Sequence, residues 1–261
     1  MRPLTYLAVA TGAMLIGAAG ANAARRDAPA AVTTHGEWVH IKKGQDSIRA
    51  YVAYPERKDQ AAGVIVIHEI FGLTDWEPTV ADRLAKEGLV AVVPDLLSSK
   101  HGKTPKDENE GRKLIGELEP ERITADLDAT YAYLNGLPSV RKGDIGTIGF
   151  CWGGGQSFRY ATTNPNLKAA VVCYGPAPDT AALRRIKAPV LGIYGENDAR
   201  INAALPDVNA AMEKYGKTFT QEVFPGTGHG FLKPGREGND GPQPERAWAR
   251  ILEFYRARLG K

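Results

Sequence analysis

Three almost unbroken apolar runs most constrain the fold of this chain: Gly63-Val-Ile-Val-Ile67, Leu89-Val-Ala-Val-Val93 and Leu167-Lys-Ala-Ala-Val-Val-Cys173. A strand with one wet face alternates apolar and polar residues. A continuous β-branched run instead suits a strand buried on both sides, as in a parallel sheet covered by helices. Helical patterns separate the runs. Residues 76–87 set Val80, Ala81, Leu84 and Ala85 on one side with charges opposite, and Pro78 stands near the start. Further helices are expected at about 107–118, 121–135, from about 154, near 203–215 and near 243–259. Further strands are expected at 144–149, 190–194 and 218–224. Strands alternating with helices give an α/β fold, a mostly parallel sheet with helices on both faces. Glu37-Trp-Val-His-Ile-Lys and Ile48-Arg-Ala-Tyr-Val-Ala-Tyr54 alternate and lie close together, so an antiparallel pair leads the sheet. No linker splits the pattern, and residues 36–261 read as one domain.

The N-terminus stands apart. One positive charge precedes an apolar stretch, and Ala21-Asn22-Ala23 follows in the A-x-A form of a secretory cleavage site. Residues 1–23 are therefore expected to be a signal peptide, residues 24–35 a loose leader, and the mature protein periplasmic or secreted. An uncleaved anchor is the alternative, but the run is short and rich in Gly and Ala for a span. No membrane association is expected after cleavage. The formal charge is only +3 and no basic cluster interleaves with aromatics, which argues against nucleic-acid partners. The chain has two cysteines, no C-x-x-C and no His pair at helical spacing, so neither metal nor organic cofactor is expected.

In open parallel sheets the reactive residues gather at the carboxyl ends of the strands. The segments that follow the strands here are His68-Glu-Ile-Phe-Gly72, Pro94-Asp95, Gly149-Phe-Cys-Trp-Gly153, Gly195-Glu-Asn-Asp198 and Pro225-Gly-Thr-Gly-His229. Gly149-x-Cys151-x-Gly153 has the form of a nucleophile elbow with sulfur in place of oxygen. The chain order Cys151, Asp198, His229 is that of an α/β-hydrolase triad. Asp198 would orient His229, and His229 would take or hold the thiol proton. A helix N-terminus behind Cys151 would favour a thiolate. The backbone N–H groups of Trp152 and Ile70 would form the oxyanion hole. An isolated cysteine is usually packing, and Asp198 alone could be a turn residue. The ordered set of three is what points to chemistry. His68 reads as a residue that shapes the loop rather than as a base.

These segments resemble the dienelactone hydrolase family of α/β-hydrolases. The resemblance rests on His68-Glu69-Ile70-Phe71-Gly72, Pro94-Asp95-Leu96, Gly149-Phe150-Cys151-Trp152-Gly153-Gly154, Tyr174-Gly175, Gly195-Glu196-Asn197-Asp198 and Gly228-His229-Gly230-Phe231. It implies a hydrolase of a small ester or enol-lactone, acting through an acyl-cysteine intermediate. It also implies that Glu69 engages the resting thiol and moves when substrate binds. Members that act on dienelactone hold the substrate carboxylate with two arginines. The corresponding positions here, by counting, are Ser99 and Lys233, with Lys100 beside the first and Arg200 near Asp198. A cationic pocket for an anionic substrate is thus possible without the bidentate arginine geometry. Phe71, Tyr174 and Phe231 are the other expected substrate contacts, and a monomer is expected. Two rivals stand: a catalytically silent ligand-binding protein on the same fold, or a thiol-redox protein using Cys151 and Cys173. The loop 97–120 is expected to border the pocket.

Overall fold

The computed structural model describes Met1 and residues 33–260. Residues 2–23 of the expected signal peptide and residues 24–32 of the expected leader lie outside the described residues. The last two leader positions, Thr34 and His35, belong to the fold, because strand β1 (Thr34–Lys43) already pairs there with β2 (Asp46–Pro55). The two strands are antiparallel and turn tightly at Gly44, whose φ of 58° suits a residue without a side chain.

From there strands and helices alternate. β3 (Ala61–Ile67) leads to α1 (Trp76–Lys86) and β4 (Val90–Pro94). The excursion α2 (Ser98–His101), α3 (Glu108–Gly116) and α4 (Pro120–Gly136) precedes β5 (Val140–Phe150). Then come α5 (Trp152–Thr163), β6 (Ala169–Cys173), a 3-10 turn (Thr180–Arg185) and β7 (Val190–Gly195). α6 (Ala199–Asn202), α7 (Leu205–Lys214), β8 (Phe219–Phe224) and α8 (Gln243–Arg258) complete the chain.

The eight strands form one sheet in the order β1-β2-β4-β3-β5-β6-β7-β8. β2 is antiparallel to both its neighbours, and every pair from β4 to β8 is parallel. The two-residue repeat of a strand divides the core between the faces. Ile65 and Ile67 of β3 join Leu127 and Leu134 of α4 and Phe158 of α5 in one cluster. Val64 and Val66 join Val80 and Leu84 of α1 and Trp248 and Ile251 of α8 in the other. Each such side chain, fully buried, contributes about 1.5–3 kcal/mol relative to exposure.

The topology also fixes where a ligand belongs. The chain runs outward from β3 to β4 and returns to the other side of β3 as β5. The connections leaving β3 and β5 therefore diverge and open a crevice at the carboxyl ends of these strands. Two residues past β3 stands Glu69, and one residue past β5 stands Cys151.

Candidate active site

Cys151 is the single residue between β5 and α5, with φ 55° and ψ −117°. A side-chain-bearing residue in such a region costs about 1–3 kcal/mol and persists only where its surroundings impose it. Here the glycines do so. A Cβ at Gly149 would lie 1.9 Å from the Gly153 carbonyl oxygen, and one at Gly153 would lie 2.3 Å from the oxygens of Ile67 and His68. α5 can therefore start directly against β3 and β5 only because these positions carry no side chain. The Cys151 N–H donates to the Cys173 carbonyl at 3.0 Å, which ties the elbow to β6. Its side chain is half-buried and free. The helix begins at Trp152, two residues earlier than the sequence pattern suggested. Glycines lower helix propensity, but close packing selects them at this helix start.

His229 and Asp198 arrive from the ends of β8 and β7. The His229 Nδ1–H donates to Asp198 Oδ2 at 2.5 Å, and the carboxylate is buried. That leaves Nε2 for the thiol. The His229 pKa is pushed up to about 9, first by its hydrogen bond with Cys151 and then by the bond and charge of Asp198, against an opposing effect of burial. The Tyr174 ring meets the imidazole edge-on at 5.3 Å between centroids. Cys151, His229 and Asp198, read from three distant stretches of sequence, thus form one connected group.

Glu69 is placed differently from what the resemblance implied. Its buried carboxylate pairs with Lys233 Nζ at 2.9 Å, and among the described residues it makes no hydrogen bond to the Cys151 thiol. A buried carboxylate gains more from an ammonium than from a weak thiol donor. Lys233, four residues beyond His229, is the nearest cation. Its ammonium also lies 5.6 Å from the Phe71 ring centroid and 5.3 Å from that of Trp76. Lys233 is therefore engaged with Glu69, and it opens onto a neighbouring cavity of about 820 Å³ rather than onto the one beside Cys151.

The His68 ring ties the loops together: Nδ1 donates to the Glu69 carbonyl at 2.8 Å and Nε2 accepts the Leu96 N–H at 3.2 Å. It also stacks on Trp152, with centroids 5.5 Å apart. Buried Glu77 accepts from the N–H and hydroxyl of Thr74 at 2.8 and 2.7 Å, which steadies the same loop. The Ile70 and Trp152 amides make no backbone hydrogen bonds among the described residues. That of Trp152 belongs to the unsatisfied first turn of a helix.

The cavity beside Cys151 has a volume of about 370 Å³ and is lined by Glu69, Ile70, Phe71, His229 and Gly230, together with Arg112, Arg200 and Arg236. Phe71 and Arg200 were anticipated. Four other expected contacts need correction. The Ser99 hydroxyl donates to buried Asp126 at 2.7 Å, because the short helix α2 turns it towards α4. Lys100 reaches out to the Glu117 carbonyl at 3.0 Å. Tyr174 and Phe231 are fully buried, in the packing beneath the cavity rather than on its wall. Arg112 and Arg236 were missed. Arg112 belongs to the expected 107–118 helix and Arg236 follows His229 by seven residues, but nothing in the sequence pattern turned either towards Cys151. Cys173 is fully buried and burial pushes its thiol well up, which disfavours the thiolate that disulfide exchange requires. A cavity of about 550 Å³ at the opposite ends of the strands, lined by Arg57, Arg141 and Tyr255 among others, contains neither cysteine nor histidine.

Comparison with known proteins gives a consistent picture. Residues 48–259 match the model of the dienelactone hydrolase family. A Saccharolobus solfataricus protein named "Putative carboxymethylenebutenolidase" is 31% identical over 246 residues, spanning 80% of this chain and 93% of its own. A Methylorubrum extorquens protein of the same name is 32% identical over 232 residues, spanning 84% and 79%. Among solved structures, a "Putative Dienelactone Hydrolase" from Klebsiella pneumoniae superposes with a TM-score of 0.77 at 27% identity, covering 85% of this chain and 98% of that one.

Proposed function

We propose, since the chain belongs to the dienelactone hydrolase family and is an ester or lactone hydrolase, that Cys151 is its nucleophile and acts through a covalent acyl-cysteine. The observation that carries this reading is the strained Cys151 elbow, with His229 near enough for the thiol to raise its pKa and Asp198 hydrogen-bonded behind the imidazole. In the reacting pair His229 holds the thiol proton, and the sulfur attacks the carbonyl carbon of the bound ester. Charge develops on the carbonyl oxygen, and the Ile70 and Trp152 N–H groups receive it at the positive end of α5. Collapse breaks the ester C–O bond. The leaving alkoxide or enolate takes the proton from His229 Nε2, and the acyl group remains on sulfur. A water then gives its proton to His229 and attacks the thioester, the thiolate leaves, and the acid is released. Asp198 keeps the Nδ1 proton in place and stabilises the imidazolium.

Glu69 lines the cavity beside the thiol, and Lys233 pairs with it from the neighbouring cavity. The family resemblance puts this glutamate on the resting thiol; here it would reach the sulfur only by leaving Lys233. The apolar stretch and A-x-A site of residues 1–23 support action outside the cytoplasm.

The test is hydrolysis of p-nitrophenyl acetate and a panel of lactones by the purified protein, with iodoacetamide labelling mapped by mass spectrometry. Activity should disappear in step with labelling of Cys151 and be absent from Cys151→Ala. Full hydrolysis by Cys151→Ala would end the proposal.

A further inference from the structure

We propose that the natural substrate carries at least two anionic groups, carboxylate or phosphate, held by Arg112, Arg200 and Arg236. The inference deepens the hydrolase reading and rests on Cys151 being the reacting group. The three arginines come from separate elements, are exposed, and line one cavity of about 370 Å³. Arg112 is on α3, Arg200 on α6 two residues beyond Asp198, and Arg236 in the loop between β8 and α8. The Arg112 guanidinium carbon lies 5.3 Å from the centroid of the Phe71 ring, at the cavity wall. The stem of Arg236 packs beside Gly230, where an added Cβ would meet its Cγ at 3.3 Å.

Among the described residues that line the cavity the only carboxylate is Glu69, and it is engaged with Lys233. None of the three guanidinium groups forms an ion pair or hydrogen bond among the described residues. Three uncompensated cations around a small cavity repel one another and attract counter-charge. A guanidinium fork binds carboxylate or phosphate in two parallel bonds. A single carboxylate offsets one of these three positive charges, and a second anionic group brings the cavity nearer to balance. The positions are also not the two at which the family resemblance places arginines, Ser99 and Lys233. Both of those are engaged elsewhere, with Asp126 and Glu69.

The experiment compares kcat/KM for three activated esters: neutral p-nitrophenyl butyrate, singly charged mono-p-nitrophenyl succinate and doubly charged mono-p-nitrophenyl tricarballylate. The values should rise in that order, and added salt should compress the difference. Arg112→Gln, Arg200→Gln and Arg236→Gln should each cost about tenfold on the doubly charged ester, near the lower end for a charge-assisted contact at an exposed rim. The loss should appear mainly in KM, and it should be larger than on the neutral ester. In parallel, free tricarballylate should slow iodoacetamide labelling of Cys151 more than succinate or butyrate does, and the variants should weaken that protection. A neutral ester hydrolysed as well as the doubly charged one, or equal losses on all three esters, would overturn the inference. Protection by tricarballylate without hydrolysis of any ester would leave the anion site standing and remove the catalytic reading instead. Hydrolysis with no protection would do the reverse.

Discussion

Replacing Gly149 by alanine should damage stability and catalysis together, and the size of the effect follows from the geometry of the elbow. The new Cβ would sit 1.9 Å from the Gly153 carbonyl oxygen and 2.3 Å from its carbon, where ordinary contact begins at 3.4 Å. The strand and the helix start must separate by the difference, about 1.5 Å. Both clashing partners are backbone, so no side-chain rotation relieves them. Gly153 cannot retreat freely, because its Cα faces the oxygens of Ile67 and His68 on β3. Overpacking a rigid interior costs typically about 1–3 kcal/mol and sometimes more, and a backbone-against-backbone clash belongs at the top of that range. Urea unfolding should show the midpoint lowered by about 1 M or more with an unchanged slope. A shift of the elbow by about 1 Å also misplaces the thiol, which is worth about a hundredfold in rate. Gly136→Ala is the control: nothing lies within 4 Å of its Cβ at the end of α4, and it should be neutral or slightly stabilising. A Gly149→Ala protein within about 0.5 kcal/mol of the parent, with undiminished thiol reactivity, would refute the reasoning.

Three further outcomes are expected. Lys233→Met leaves the buried Glu69 carboxylate without its cation and should cost about 3–5 kcal/mol in urea unfolding, while Glu69→Gln with Lys233→Met should recover most of the loss. A single-variant loss below about 1 kcal/mol would contradict the pairing. His229, raised from 6.5 to about 9 in the fold, adds stability that is complete below pH 6.5 and fades as pH rises towards 9. kcat/KM should fall over the upper part of that range as the imidazolium is lost, and NMR of the imidazole should show its pKa moving down in Cys151→Ala, which removes the largest cause of the shift. An unmoved value would mean that the thiol does not contact His229. Cys151→Ser should retain only a small fraction of the hydrolase activity, because a hydroxyl lacks the acidity of a thiol; a serine variant as active as the parent would show that thiol acidity contributes little.

What could be read from the sequence was what depends on local pattern. β3, β4 and β7 appear where continuous apolar runs stand, within two residues at each end. The elbow was readable because two glycines at fixed spacing have one steric purpose. The start of β5 was not: residues 140–143 join the sheet past a register shift and include Gly143 at φ 74°, which no hydrophobic alternation announces. Some expected substrate contacts failed where local structure redirects the side chain. Ser99 lies on a four-residue helix that turns it to Asp126, and Tyr174 has φ 41° and is buried. Arg112 lies on a helix whose register against the cavity is set by Gly111, where a Cβ would meet the Phe71 carbonyl oxygen at 2.3 Å. Such tertiary contacts leave no periodic trace in the sequence.

The central claim is that the acyl group passes through Cys151, and the most direct measurement is rapid acid quench of the protein turning over p-nitrophenyl acetate, followed by peptide mass spectrometry. The account predicts one acetyl group on the peptide containing Cys151, formed within the burst of p-nitrophenol and lost at the rate of turnover. Hydrolysis at full rate with no acetyl group on that peptide at any quench time would contradict it.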